Sequence, residues 1–191
     1  MGRVVVIDYV SVDGVVQGPG HVGEDSDGGF KQGGWTRPHL GEHAQYLAGP
    51  FTAAGGFLLG RVTYDIWLEY WPNVTDAGDL IARALNTKPK YVASASLANP
   101  DWAGTTVLRD VPREVAELRE KPGGPLLVMG SSQLTHTLTE HALVDEYRLM
   151  IHPVVLGSGK KLFADDGPRL DLHLAGVTST ASGLVVLSYQ A

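Results

Sequence analysis

The chain has 191 residues, a formal net charge of −6 and no cysteine, with 43% apolar and 19% charged residues. That length and mixture suit one globular domain spanning 1–191, and the acidic balance argues against a nucleic-acid face, which needs clustered positive charge. Absent cysteines exclude disulfides and thiolate metal sites, and no apolar run reaches the roughly 18 residues of a membrane span, so a cytoplasmic setting is expected.

Arg3 to Val10 is a valine-rich apolar run, too short for a helix, and predicts a buried strand. Residues 17–35 are glycine-rich and predict a long loop of the kind that often forms lids. Pro38 opens a helix with Leu40, Ala44, Leu47 and Ala48 at helical spacing. Gly55–Gly60 predicts a strand, and 61–71 a helix that Pro72 stops. A short helix over Asp79–Leu85, strands over Lys90–Ala95 and Thr105–Leu108, and a helix beginning near Pro112 follow. Then come a strand over 125–129, a helix over 131–141 and a strand over Glu146–Pro153. Asp171–Thr180 and Leu184–Gln190 form a hairpin turning near Ser182-Gly183. This order predicts an α/β fold: a mostly parallel central sheet, helices on both faces and a C-terminal antiparallel hairpin.

Two segments carry the chemistry. Phe57-Leu-Leu-Gly60-Arg61-Val-Thr63 and Leu126-Leu-Val-Met-Gly130-Ser131-Ser132-Gln133 each run from apolar strand through glycine into a helix start. Unpaired backbone N–H groups and the helix dipole make such a junction an anion site. Two of them suggest a dinucleotide with its phosphate-bearing ends held apart, one at each junction. Arg61 offers a planar fork suited to a phosphate monoester, the group that separates NADPH from NADH. Lys88, Ser94 and Ser96 flank a strand end and could complete that pocket.

Other motifs are weaker. Gly18-Pro-Gly-His-Val-Gly23 has the letters of a dinucleotide fingerprint, but Glu-Asp-Ser-Asp-Gly-Gly follows where a helix should open. Asp25-Ser-Asp-Gly28 lacks the ligand series of a calcium loop. His39-Leu-Gly-Glu42-His43 has the spacing of an inverted zinc-peptidase motif, with no convincing third ligand. Two surface histidines on a helix is the plainer reading, and no metal is expected. His21, His136, His141, His152 and His173 are scattered and read as surface or capping residues. Ser11-Val-Asp13-Gly14 follows the first strand, where open α/β sheets place ligands; it is also an ordinary Asp-Gly turn.

Taken in order, Ser11-Val-Asp-Gly14, Gly33-Gly-Trp35, Leu58-Leu-Gly-Arg-Val-Thr-Tyr64, Gly123-Gly-Pro-Leu-Leu-Val-Met-Gly130, Leu143-Val-Asp-Glu146 and Pro153-Val-Val-Leu-Gly-Ser-Gly159 span nearly the whole chain. This set resembles the dihydrofolate-reductase-like superfamily, most closely the reductase domain of riboflavin biosynthesis (RibD C-terminal) and its stand-alone relatives. The resemblance implies NADPH as cofactor. It implies Gly60, Arg61 and Thr63 on the adenosine side, with Ser94 and Ser96 near the 2′-phosphate. Gly130, Ser131, Ser132 and Gln133 would hold the pyrophosphate, and Val16 would line the nicotinamide. Asp13 and Trp35 would face the substrate. A pterin-gripping carboxylate has no match on the helix after the loop, where Gly41 falls and Glu42 is the nearest acid.

The expected chemistry is hydride transfer from NADPH to a small heterocyclic or carbonyl/imine substrate, pterin-like or resembling a 5-amino-6-ribosylamino-pyrimidine. Asp13, with a pKa raised by burial, and Glu42 second, are the candidate catalytic acids. The family also suggests a homodimer. The rival readings are a dinucleotide- or flavin-binding sensor without turnover and, more remotely, a zinc hydrolase.

Overall fold

The computed structural model describes residues 2–191. Eight strands form one sheet: β1 (Val4–Ser11), β2 (Gly56–Gly60), β3 (Lys90–Ala93), β4 (Thr105–Leu108), β5 (Leu126–Val128), β6 (Glu146–His152), β7 (His173–Ser179) and β8 (Val185–Gln190). Their order is β4-β3-β2-β5-β1-β6-β8-β7. The first six are parallel to their neighbours. The C-terminal β7–β8 hairpin adds the antiparallel edge. Five α-helices lie between the strands: α1 (Leu40–Ala53), α2 (Arg61–Tyr70), α3 (Leu80–Thr87), α4 (Val111–Arg119) and α5 (Ser132–Glu140).

Strand periodicity sorts the core into two layers. Val4, Val6 and Val10 of β1 pack with Val115 and Leu118 of α4 and Leu134 and Leu138 of α5. Val5 and Ile7 face the other way, toward Leu47 and Phe51 of α1, Tyr64 of α2 and Leu85 of α3. Burial on both faces is why β1, β2 and β5 read as continuous apolar runs instead of alternating ones.

Several helix ends are closed by side chains. Asp79 caps α3 by accepting from the Ile81 and Ala82 amides, and Asp110 caps α4 through Arg113 N–H. Lys90 is fully buried; its Nζ donates to the Leu85 and Lys88 carbonyls at 2.7 and 3.0 Å and lies 4.7 Å over the Trp102 ring. It closes the C-terminal end of α3, where a cation meets the negative pole of the helix.

Two expectations are corrected. Leu40 and Ala44 do not turn inward; the buried face of α1 is His43, Leu47 and Phe51. A 3-10 turn over Arg37–His39 precedes the helix, so its register starts later than Pro38 implies. The segment 17–35 is not a free loop. Gln17 ties it from within, donating to the Asp27 carbonyl at 3.0 Å and accepting from Lys160 N–H at 3.0 Å. Phe30 packs under it with Val15 and Leu156.

Leu58 lies at the centre of β2 with no exposed surface. Leu58→Ala should cost about 2–5 kcal/mol, read from the shift in the urea midpoint at an unchanged slope. A loss below about 1 kcal/mol would contradict the two-layer core.

Candidate functional site

Six parallel strands deliver their C-terminal ends to one edge, and a cleft of about 1140 Å³ runs along it. The cleft is lined by the ends of β1 to β5, the first turns of α2 and α5, one side of α1 and the loops around Val16 and Lys160. Both strand–glycine–helix junctions open into it, and they touch. Gly60 N–H donates to Ser131 Oγ at 2.8 Å, and the Thr63 and Ser131 hydroxyls are 2.7 Å apart. The contact follows from topology, because β2 and β5 are adjacent. It also requires the glycines. A Cβ at Gly60 would lie 2.7 Å from Ser131 Oγ, and Gly130, at φ +66°, would carry one 3.1 Å from Thr63 Oγ1. The two junctions therefore meet at one place instead of gripping the separated ends of an extended molecule, as the sequence suggests.

The bridge has an electrostatic consequence. Ser131 sits in the left-handed region at φ 60° and spends its hydroxyl on the neighbouring junction, so it does not cap α5; no side chain caps α2 either. Unlike α3 and α4, these two helices turn first-turn N–H groups, without intrahelical partners, toward shared space. This donor set fits the phosphates of a dinucleotide. Arg61, Thr63, Ser132 and Gln133 stand around it.

Arg61 lines the cleft while its Nε donates to both Asp65 carboxylate oxygens at 2.8 and 2.7 Å, a pair that orients the guanidinium from below. Ser94 and Ser96 line the far end, where Ser94 Oγ accepts from the Ser96 and Leu97 amides at 3.3 and 3.1 Å. Arg109, which sequence reasoning passed over, holds that turn by donating to the Ser94 and Leu97 carbonyls. A lone arginine just past a short strand was its only signal. Lys88 is not part of this pocket: its Nζ donates to Thr52 and Ala54 carbonyls at the end of α1. Lys160 and Lys161 line the cleft but are already paired, Lys160 with Asp25 and Asp27 and Lys161 with Asp165.

The expected acids lie elsewhere. Asp13 does not line the cleft. Its carboxylate accepts from Ser11 Oγ at 2.7 Å, Leu156 N–H at 3.1 Å and Gly157 N–H at 2.6 Å. Those donors, the Ser11 hydroxyl foremost, hold its pKa down to about 2, so it is ionised and not a neutral proton donor. Glu42 also stays outside; the Ser182 and Thr180 hydroxyls and His39 lower its pKa. Trp35 is a loop staple, donating from Nε1 to the Gln17 carbonyl at 2.8 Å. Val16, Gly60, Gly130 and Ser131 do line the cleft.

Four acids line the cleft, Asp8, Glu24, Asp25 and Asp27, and of these only Asp8, inside β1, is buried. It is 1% exposed, and burial pushes its pKa up to about 8, with the charge of Glu24 adding to the rise. Tyr9 N–H donates to Oδ1 at 2.9 Å, whereas Oδ2 is buried without a partner. On the opposite side of β1 the cleft is walled by Tyr9, His43, Leu47, Phe51, Ile66 and Trp67. His43 stacks on Tyr9 at 4.3 Å, and its Nε2 lies 3.0 Å from His152 Nε2. His39 and His43, expected at the surface, and His152, expected as a surface or capping residue, are all buried. Helix α1 presses the first two against the end of β6, which brings in His152 from 109 residues away.

Burial and neighbouring positive charge lower the pKa of His43 and His152 to about 4 each from an ordinary 6.5. Between those values the unfolded chain binds more protons, so stability rises with pH. Asp8 acts oppositely between 3.8 and about 8, where the folded chain holds the extra proton. Two histidines outweigh one aspartate below 6.5. The thermal midpoint should therefore climb from pH 4 to 6.5, and His43→Phe should flatten the climb. A midpoint unchanged between pH 4.5 and 6.5 would contradict the pair's neutrality.

Comparison with known proteins places this geometry in context. The family model of the RibD C-terminal domain matches residues 3–186. Uncharacterized protein YyaP of Bacillus subtilis is 34% identical over 134 residues, 69% of this chain and 71% of that one. A pyrimidine reductase-like protein from Corynebacterium diphtheriae superposes with a TM-score of 0.65 at 14% identity, covering 99% of this chain and 91% of that one. Dihydrofolate reductase from Enterococcus faecalis, complexed with NADP(H), gives a TM-score of 0.59 at 11% identity, covering 99% and 96%. The last two likenesses are of fold, which is dihydrofolate-reductase-like.

Proposed function

The chain belongs to the RibD C-terminal domain family, and we propose that it is an NADPH-dependent reductase acting on a small heterocyclic or carbonyl/imine substrate. One observation carries the reading: with Gly60 lacking a side chain and Ser131 spent on the bridge, two helix N-termini stand uncapped at one point of the cleft. A dinucleotide pyrophosphate matches that donor set in charge and size. The NADP(H) complex of the E. faecalis enzyme, which shares the fold, supports the choice of cofactor.

In this reading the amides of the α2 and α5 first turns, with Gly60, Thr63, Gly130, Ser131, Ser132 and Gln133, hold the pyrophosphate. Arg61, Ser94 and Ser96 take the 2′-phosphate, with Arg109 shaping the turn that presents the serines. Val16 closes over the nicotinamide end. When bound, the cofactor supplies the hydride. The protein's own residues bind, orient and exclude water. The wall of Leu47, Phe51, Ile66 and Trp67 suits a flat, largely apolar ring. Cleft residues from β1, α1, α3 and α2 beyond its first turn include no lysine or arginine. That favours a substrate without a phosphate at this end. A cytoplasmic homodimer remains part of the proposal on family grounds.

Arg61→Ala should weaken NADPH by roughly tenfold or more while leaving NADH within about twofold, because only NADPH has the extra phosphate. Thermal-shift titrations with both nucleotides read this directly. Equal loss for both would remove Arg61 from the 2′-phosphate. Wild-type protein should also oxidise NADPH with at least one member of a panel of pterins, quinones and ribitylated pyrimidines. Tight NADPH binding with no oxidation across the panel would favour a sensor over a reductase.

A further inference from the structure

We infer that Asp8 is the acid of this site: its Oδ2 pairs with the substrate's acceptor atom and delivers the proton that accompanies reduction. The inference rests on the reductase reading and assigns the group that reading leaves unnamed, since Asp13 and Glu42 lie outside the cleft, Glu24 is held by the Gly20 and His21 amides, and Asp25 and Asp27 are paired with Lys160.

β1 pairs with β6 along its length, from Val5↔Glu146 to Ser11↔His152. On its other side it pairs with β5 only over Val4–Val6, because β5 ends after Val128 and the chain turns away through Gly130 and Ser131. The strands part there, and Asp8 is two residues past the last pair. Its carboxyl thus stands in the notch between β1 and the α5 junction, on the cleft wall. A buried carboxyl costs least when every oxygen has a partner. Asp8 satisfies Oδ1 through Tyr9 N–H and leaves Oδ2 without one. Such an atom, buried on a residue that lines a ligand-sized cleft, is a place for a ligand group.

The surroundings select the protonation state. Burial opposes ionisation of Asp8 most strongly and the Glu24 charge adds to it, while the Tyr9 and Gly130 backbone N–H groups favour the ionised form without offsetting burial. The cleft's two nearby cations do not offset this, being engaged by Asp25, Asp27 and Asp165. His136 on α5 also lines the cleft, with its Nε2 3.1 Å from the Lys161 carbonyl. Asp8, with a pKa of about 8, is therefore a neutral carboxylic acid at pH 7 and presents an O–H donor. A carbonyl oxygen or imine nitrogen is the matching acceptor. The balance is simple. The substrate's C=O or C=N carbon gains a hydride as the reduced nicotinamide dinucleotide is oxidised. The Asp8 O–H bond breaks, a new O–H or N–H forms on the substrate, and the carboxylate regains its proton from water.

The test uses Asp8→Asn, which keeps the side chain's shape and can donate but cannot give up a proton. Three readouts are taken on the full chain: NADPH thermal shift, turnover against pH with the acceptor panel, and carbon NMR of aspartate-carboxyl-labelled protein. Asp8→Asn should keep the NADPH shift within twofold in affinity and lose at least a hundredfold in turnover. Wild-type turnover should fall above about pH 8, and one carboxyl carbon should titrate near 8 and vanish in the variant. Turnover within threefold of wild type, or no carboxyl titrating above 6, would overturn the role of Asp8 and leave the reductase reading standing. NADPH binding without oxidation by any acceptor would instead overturn that reading, and the role with it.

Discussion

A single hydroxyl joins the two halves of this cleft. Ser131 accepts from Gly60 N–H and meets Thr63, and in doing so leaves its own helix without a cap. Each hydrogen bond contributes only about 0.5–1.5 kcal/mol net. The arrangement matters more than the energy, because it sets two positive helix poles side by side where strands β2 and β5 end. Their mutual repulsion and unpaired N–H groups are tolerable beside water and favourable beside an anion. Ser131 also holds a left-handed backbone that costs a residue with a side chain roughly 1–2 kcal/mol. Strain of this kind gathers where a ligand is met.

From that point the cleft divides by chemistry. Toward β3 and β4 it is cationic and polar, with Arg61, Arg109, Ser94 and Ser96. Toward α1 it is aromatic and aliphatic, with His43, which burial keeps neutral. Between them, in the notch where β1 leaves β5, stands Asp8. An anionic cofactor with one apolar ring end suits such a gradient, and a second flat ring fits against the apolar wall. Fold alone does not select this use, since the same scaffold can carry different sites. The assignment comes from the side chains that the edge presents.

Most of the architecture was legible from local patterns. Valine-rich runs, glycines after strands and prolines at helix starts located every strand and α-helix, with ends differing by a few residues, but none of the 3-10 turns. Both junctions were visible for the same reason, because each is a contiguous stretch of chain. What the sequence hid was contact between distant segments. Gly60 and Ser131 are 71 residues apart, so nothing in either motif says that they touch. Asp13 reads as a buried proton donor in the sequence because its amide partners, Leu156 and Gly157, come from 143 and 144 residues away. His43 and His152 were indistinguishable from surface histidines until α1 and β6 packed together. Asp8 did leave a trace: one carboxylate inside an apolar strand buried on both faces, a setting that perturbs pKa and marks functional sites.

The central claim is that the two helix starts act as one anion site. A proton–nitrogen correlation spectrum recorded during NADPH titration tests it most directly. The amides of Arg61–Thr63 and those of Ser132–Leu134 should shift together and saturate with a single dissociation constant. Shifts confined to one set, or two sets saturating at different concentrations, would contradict the account.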